Sequence, residues 1–269
     1  MRERFRVRGA PAGRWYTIVE CPSCGFQWAS PPPSRDEIAA HYSSIGPSYS
    51  HYVHARELKK AHFRRKFDEV AQELPRSGRL LDVGCAAGFL LEAARERGFQ
   101  PTGVELNRGF EAFTAPEVRP HVVYCDLLSF SAPQPYEVIT LFDVLEHSPT
   151  PRADLVRCRE ILAPGGVLVV QLPCIDSLGR RLLGRRWFHY GPPDHLSYFD
   201  AGSFGRLATS VGFRVVRRKW TRKHMTLDYL ASQLAQVCAG VDLTVRLPGL
   251  GRVGVNVPMS EALFVLAAG

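Results

Sequence analysis

A chain of 269 residues, 45% of them apolar, can bury a sizeable core and does not have the composition of a disordered polymer. Its formal net charge of +8 leaves an acidic substrate, a nucleic acid or an anionic surface open, but the excess is spread along the chain and suits a basic globular protein. The start "MRERFRVRGAPAGRWY" has no secretory apolar core, no uninterrupted apolar run spans a bilayer, and the seven cysteines are an odd number, mostly single within apolar segments, so a reducing, cytoplasmic setting is expected.

Residues 1–53 read as an irregular amino-terminal cap, because Pro22, "SPPPS" and Gly46-Pro47 disfavour long helices. Cys21 and Cys24 form half of a zinc site. A structural zinc needs four ligands, no cysteine or histidine precedes Cys21, and His41, His51 and His54 lack the spacing to complete the set, so no metal is expected. From residue 54 to 269 the chain reads as one larger domain. Its first segment, 54–74, is an amphipathic helix with Phe63, Phe67, Val70 and Leu74 on one stripe. Strands follow at 79–83, 101–105, 121–125, 137–142 and 165–172, alternating with helices at 88–97, about 107–114, and 151–162. Thr150 is the expected cap of the last of these and Pro151 its first residue. A helix at 200–213 leads into "FRVVRRKW", and "EALFVLAAG" supplies a seventh strand. Insertions fall at about 175–200 and 221–258. Strand–helix alternation of this kind predicts an α/β fold with a mostly parallel sheet covered on both faces.

The chemistry concentrates at strand ends. In "LLDVGCAAGFLL", Asp82 closes an apolar run, and Gly84, Ala86 and Gly88 form a bend whose small residues let a ligand approach the backbone. Glu105 ends the second strand at the separation where an acid accepts hydrogen bonds from ribose hydroxyls. Asp126 follows the third strand. The dinucleotide fingerprint wants a small residue where Phe89 stands, and the P-loop lysine is absent, so a nucleotide without a pyrophosphate is the better fit.

With these residues in place, "LLDVGCAAGFLL", "GVELN", "CDLLSF", "YEVITLFDVLEHSPTP" and "LVRCREILAPGGVLVVQLP" resemble, in order and spacing, the motifs of class I S-adenosylmethionine-dependent methyltransferases. They cover residues 79–172. The segments "YTIVECPSCGFQWASPPPSRDEIAAHYSS" and "RRWFHYGPPDHLSYFDAGSFGRLATSVGF" resemble a subgroup, with a zinc-knuckle lead-in, in which several members methylate sugars or other small metabolites. The resemblance implies a seven-stranded Rossmann-like methyltransferase sheet and S-adenosyl-L-methionine as cofactor. It implies that Asp82, Gly84, Cys85, Ala86 and Gly88 face the methionine part and that Glu105, with Leu106 beside it, binds the ribose. Asp126 and Leu127 would take the adenine, and Phe142 would lie near the sulfonium.

Two histidines are candidate catalytic bases. His147 lies just past the fourth strand in "DVLEHSP", and His195 lies in "GPPDHLSYF". Trp187, Phe188, His189, Tyr190 and Tyr198 suggest an aromatic wall for a sugar or ring, and Arg180, Arg181, Arg185 and Arg186 suggest contacts to phosphates or a lipid carrier. Tyr42 and Tyr49 are candidates for covering the cofactor. The expected function is methyl transfer to a small metabolite, with a sugar or glycan-linked acceptor as the expected class. A nucleic-acid methyltransferase is the rival enzyme, disfavoured because "FDVLEH" replaces the Asn/Asp-Pro-Pro-aromatic motif of amino-methylating enzymes. A non-catalytic binding module on the same fold is the other alternative.

Overall fold

The computed structural model describes residues 1–8, 14–34, 37–38, 40–41, 56–228, 230–232, 245–249 and 253–269. Tyr42, Tyr49, His51 and His54, and residues 229, 233–244 and 250–252 of the 221–258 insertion, lie outside the described residues. The amino-terminal strands are β1 (Arg2–Arg8), β2 (Trp15–Glu20) and β3 (Gln27–Ser30). Helix α1 (Arg56–Glu69) precedes β4 (Gly78–Val83), α2 (Phe89–Glu96), β5 (Phe99–Glu105), β6 (Val122–Tyr124) and β7 (Tyr136–Phe142). Then come α3 (Pro151–Ile161), β8 (Leu162–Pro173), α4 (Leu178–Leu183), β9 (Ser197–Tyr198), α5 (Ala201–Ser210), β10 (Phe213–Thr226) and β11 (Gly254–Ala268).

Seven strands form the main sheet in the order β10-β11-β8-β7-β4-β5-β6. β11 runs antiparallel to both neighbours, and the pairs β4–β5, β4–β7, β5–β6 and β7–β8 are parallel. The chain winds outward from β4 to one side and then returns to its other side with β7. That reversal is a topological switch point, and the strand tips beside it open a crevice. Leu80, Leu81 and Val83 of β4 are buried on both faces, which explains the unbroken apolar run of a central parallel strand. On one face Leu81, Ile139, Leu141, Leu168 and Val170 meet Leu155 and Cys158 of α3 and Phe204 of α5. On the other, Leu80, Phe99 and Val138 meet Phe67 of α1 and Leu90, Ala93 and Ala94 of α2. The predicted stripe of α1 faces this layer, with Phe67 and Val70 buried and Phe63 and Leu74 packed at its margin.

Three sequence expectations change. The lead-in is not irregular: β1, β2 and β3 form an antiparallel sheet whose fourth strand is β9. Pro22 lies between β2 and β3 and Pro31–Pro33 lie after β3, where they cost no ladder hydrogen bond, and Pro47 lies outside the described residues. Residues 108–113 form a 3-10 helix rather than an α-helix, opened by the Asn107 side chain, which accepts from the Gly109 N–H. Thr150 makes no side-chain cap on α3. The Ser148 hydroxyl takes the Thr150 N–H instead, at 3.0 Å.

The aromatic segment also differs from the expected open wall. Trp187, Tyr190 and Tyr198 are 1%, 6% and 1% exposed and pack with Tyr16, Ile18 and Ala29 as the core of the small sheet. A two- to four-stranded sheet has little surface to bury, and large aromatic rings supply the missing apolar area. The Tyr190 hydroxyl donates to Gln27 Oε1 at 2.7 Å, so the lead-in and the 175–200 insertion share one core.

Candidate active site

The first half of the site is the bend between β4 and α2. Gly84 has φ +72°, and a Cβ there would lie 2.6 Å from Val144 Cγ2. Glycine is required both by the left-handed backbone and by the close approach of the loop after β7. Ala86 also sits left-handed, at φ 47°, a conformation a residue with a Cβ adopts at a cost. Glu105 holds it there, because its carboxylate accepts the Ala86 N–H at 2.9 Å and the Asn107 N–H at 2.7 Å. Burial raises the Glu105 carboxyl above its ordinary pKa, opposed by these N–H bonds.

Beside it, Asp82 is fully enclosed. Burial lifts its pKa to about 7, although the Thr140 hydroxyl, donating at 2.6 Å, favours the charged form. Cys85 packs its sulfur against Gly103, where a Cβ would lie 2.5 Å from it, and 4.0 Å from the Ala86 carbonyl oxygen. Burial pushes its thiol well up, so the sulfur stays protonated. Asp126 is exposed and accepts the Leu128 N–H at 2.7 Å. Leu127 is buried in the main core, whereas Leu106 is 57% exposed. Phe142 is half-buried and stacks on Phe63 with ring centroids 6.2 Å apart. Three acids at neighbouring strand tips, a bend with open backbone and exposed apolar surface beside the central acid have the chemistry of an adenosine site. The S-adenosylmethionine implied by the fold fits these residues.

The second half is assembled from the loop after β7 and the loop before β9. Val144 touches Gly84, which sets this loop directly against the bend. Asp143, just before Val144, has φ 56°, its carboxylate receiving Gln171 Nε2 at 3.1 and 3.2 Å. The carbonyl of Glu146 takes the N–H groups of Leu196 and Ser197 at 2.8 and 3.0 Å, and this staple brings His195 to His147. The two imidazoles meet edge to face, 4.6 Å between centroids.

Each histidine has its tautomer set by a carbonyl. His147 Nδ1 lies 2.8 Å from the Asp194 carbonyl oxygen, and His195 Nδ1 lies 3.0 Å from that of His189. A carbonyl accepts only, so Nδ1 carries the proton in both rings and Nε2 of a neutral ring keeps its lone pair. Asp194, absent from the sequence-level candidates, is the charge behind the pair. Its carboxylate is 3.2 Å from His147 Nδ1, 3.4 Å from His41 Nε2 and 3.8 Å from His195 Nε2. Burial opposes ionisation of Asp194, but the His147 hydrogen bond and the surrounding histidines hold it well below the usual carboxylate range. Burial likewise disfavours the His147 imidazolium, yet Asp194 and Glu146 outweigh it and raise the pKa to about 9. That direction favours the charged imidazole at His147 over the neutral base. Glu146 is 1% exposed, with Oε2 lacking a hydrogen-bond partner, and burial lifts its pKa to about 8. Glu146, His147 and His195 each bring one ligating atom within 4.8 Å of the others. Cys21 and Cys24 lie far along the chain in a tight turn closed by the Gly25 N–H on the Cys21 carbonyl at 2.9 Å.

A family model described as a methyltransferase domain matches residues 51–218. Among curated proteins, the chain is similar to the ubiquinone biosynthesis O-methyltransferase of Xylella fastidiosa, 34% identical over 115 residues, covering 39% of this chain and 46% of that protein. The protein of the same name from Psychrobacter arcticus is 26% identical over 186 residues, covering 56% of this chain and 69% of that one. The chain thus spans about half the length of the curated relatives it matches. Among solved structures, a SAM-dependent methyltransferase from Archaeoglobus fulgidus superposes with a TM-score of 0.54 at 18% identity, over 78% of this chain and 93% of that one, a likeness of fold. With that family model covering well over half of its length, the chain belongs to the methyltransferase-domain family, and its fold is that of a SAM-dependent methyltransferase.

Proposed function

We propose that this protein transfers the methyl group of S-adenosylmethionine to a hydroxyl of a small-molecule acceptor. The observation that carries this reading is the pair of facing histidines, backed by Asp194 and stapled beside the Gly84 bend. When bound, the cofactor supplies a methyl carbon made electrophilic by its sulfonium. Glu105 would hold the ribose and Asp126 the adenine, with Leu106 against the ring. The backbone of Gly84, Ala86 and Gly88 would face the methionine part, with Asp82 beneath it. His195 Nε2 would take the hydroxyl proton. His147, kept as an imidazolium by Asp194, would stabilise the oxygen while it carries negative charge. Holding that oxygen in line behind the methyl carbon is the remaining task of the walls.

The relatives named for ubiquinone biosynthesis make a phenolic hydroxyl one acceptor class to test, and a sugar or glycan-linked hydroxyl is the other. Methyl transfer from labelled cofactor to panels of catechols and sugars tests the reading. Turnover of either class supports it. Turnover of RNA alone, or cofactor binding with no turnover of any acceptor, contradicts it.

A second reading rests on the three ligating atoms of Glu146, His147 and His195 and on the orphaned Oε2 of Glu146. There a divalent cation held by these residues would activate the hydroxyl. Activity abolished by EDTA and restored by magnesium or zinc would select it over the metal-free base.

A further inference from the structure

Helix α4 leaves the tip of β8 with one side fixed and the other bare. Its Ser177 cap accepts the Arg180 N–H at 3.2 Å. Gly179 presses so close to β11 that a Cβ would meet Ser260 Oγ at 2.5 Å. Trp187, just beyond the helix, donates its Nε1–H to the same Ser260 oxygen at 2.6 Å. Arg180 is also committed inward, its Nε reaching the Tyr190 hydroxyl at 3.1 Å. The outer side is different. Leu178 and Leu182, four residues apart and so on one face, are 62% and 75% exposed. Arg181, Arg185 and Arg186 are exposed around them and make no ion pair among the described residues. The stretch 177–193 contains no acid. The acid before it, Asp176, is taken by Arg218 at 2.8 Å, and that arginine stacks on the half-exposed Trp220 at 4.3 Å.

Two largely exposed leucines cost free energy in water, and three neighbouring cations without counter-charges repel one another. Both penalties are relieved by one environment: the boundary of a bilayer whose headgroups are anionic and whose acyl chains begin a few ångströms below. A nucleic acid would neutralise the arginines but leave the leucines wet. We propose that α4 and the turn after it are a peripheral docking surface for an anionic membrane, with Leu178 and Leu182 entering the headgroup–acyl boundary and Arg181, Arg185 and Arg186 meeting lipid phosphates. Nothing in this requires a membrane span, and no helix among the described residues is long and apolar enough to form one. The docking stands apart from the proposed reaction, so either can fail alone.

Vesicle sedimentation tests it with the intact chain, using phosphatidylcholine alone and phosphatidylcholine mixed with phosphatidylglycerol. The expected result is binding to the mixed vesicles that weakens as salt is raised. The pair Leu178→Ser/Leu182→Ser and the triple Arg181→Gln/Arg185→Gln/Arg186→Gln should each lower the partition coefficient about tenfold or more. Both variants should keep the affinity of the unmodified protein for S-adenosylhomocysteine, which reports an intact fold. Equal partition onto neutral and anionic vesicles, unchanged binding by both variants, or retention on an RNA oligonucleotide but not on vesicles would overturn the proposal.

Discussion

The two halves of the site are built in opposite ways. The bend at Gly84–Gly88 and its acid Glu105 lie close together in sequence and are joined through backbone N–H groups. The histidine pair is joined across about fifty residues by side chains and one carbonyl staple. A backbone-built half binds a ligand shared by many enzymes and tolerates little change. A side-chain half can be rewritten for a new acceptor without disturbing the first. The comparison predicts that substitutions separate cleanly: those in the histidine half alter rate, and those in the bend alter cofactor affinity.

The largest expected break in that separation comes from His195→Ala. Losing a general base costs roughly 10²–10⁴ in kcat, with the dissociation constant of S-adenosylhomocysteine unchanged by calorimetry. A loss of cofactor affinity instead would move His195 into the other half. Glu105→Ala should do the reverse. It removes a charged acceptor from two backbone N–H groups, so cofactor affinity should fall about 100-fold, the scale of two charge-assisted hydrogen bonds.

Asp194→Asn sharpens the comparison by acting on pH rather than on binding. The anion raises His147 to about 9, so the imidazolium persists up to that pH and activity should decline above it. Removing the anion lowers the His147 pKa, and the alkaline limb of kcat/KM should move down by about one unit or more. An alkaline limb that stays in place would dissociate Asp194 from the mechanism.

How much of this was legible in the sequence follows the same division. Asp82, the small residues of the bend and Glu105 announce themselves because strand periodicity, turn chemistry and acid spacing are local properties. The seven strands of the main sheet are legible for the same reason. Asp194 carries no local signal, since its importance exists only once the Glu146 carbonyl has gathered Leu196 and Ser197. The burial of Trp187 and Tyr190 was hidden too, because it depends on a small sheet recruited from the other end of the chain. That sheet did leave a trace: Phe5 and Val7 alternate with arginines, and "WYTIV" is rich in strand formers. The surrounding prolines masked it.

A smaller effect concerns stability. The folded-state pKa of Asp82 is raised to about 7 from 3.8, so its contribution to stability is fully present below the unfolded pKa and is lost as pH rises through 7. Asp82→Asn lacks that titration. Its Tm relative to the unmodified protein should therefore improve between pH 5 and pH 8, by differential scanning calorimetry. A constant difference across that range would mean that Asp82 is ionised at both.

A crystal structure with S-adenosylhomocysteine tests the joining of the two halves most directly. The account predicts ribose hydroxyls on the Glu105 carboxylate and the ligand's sulfur facing the open space before His147 and His195. A ligand bound elsewhere, or a sulfur turned away from both imidazoles, would contradict it.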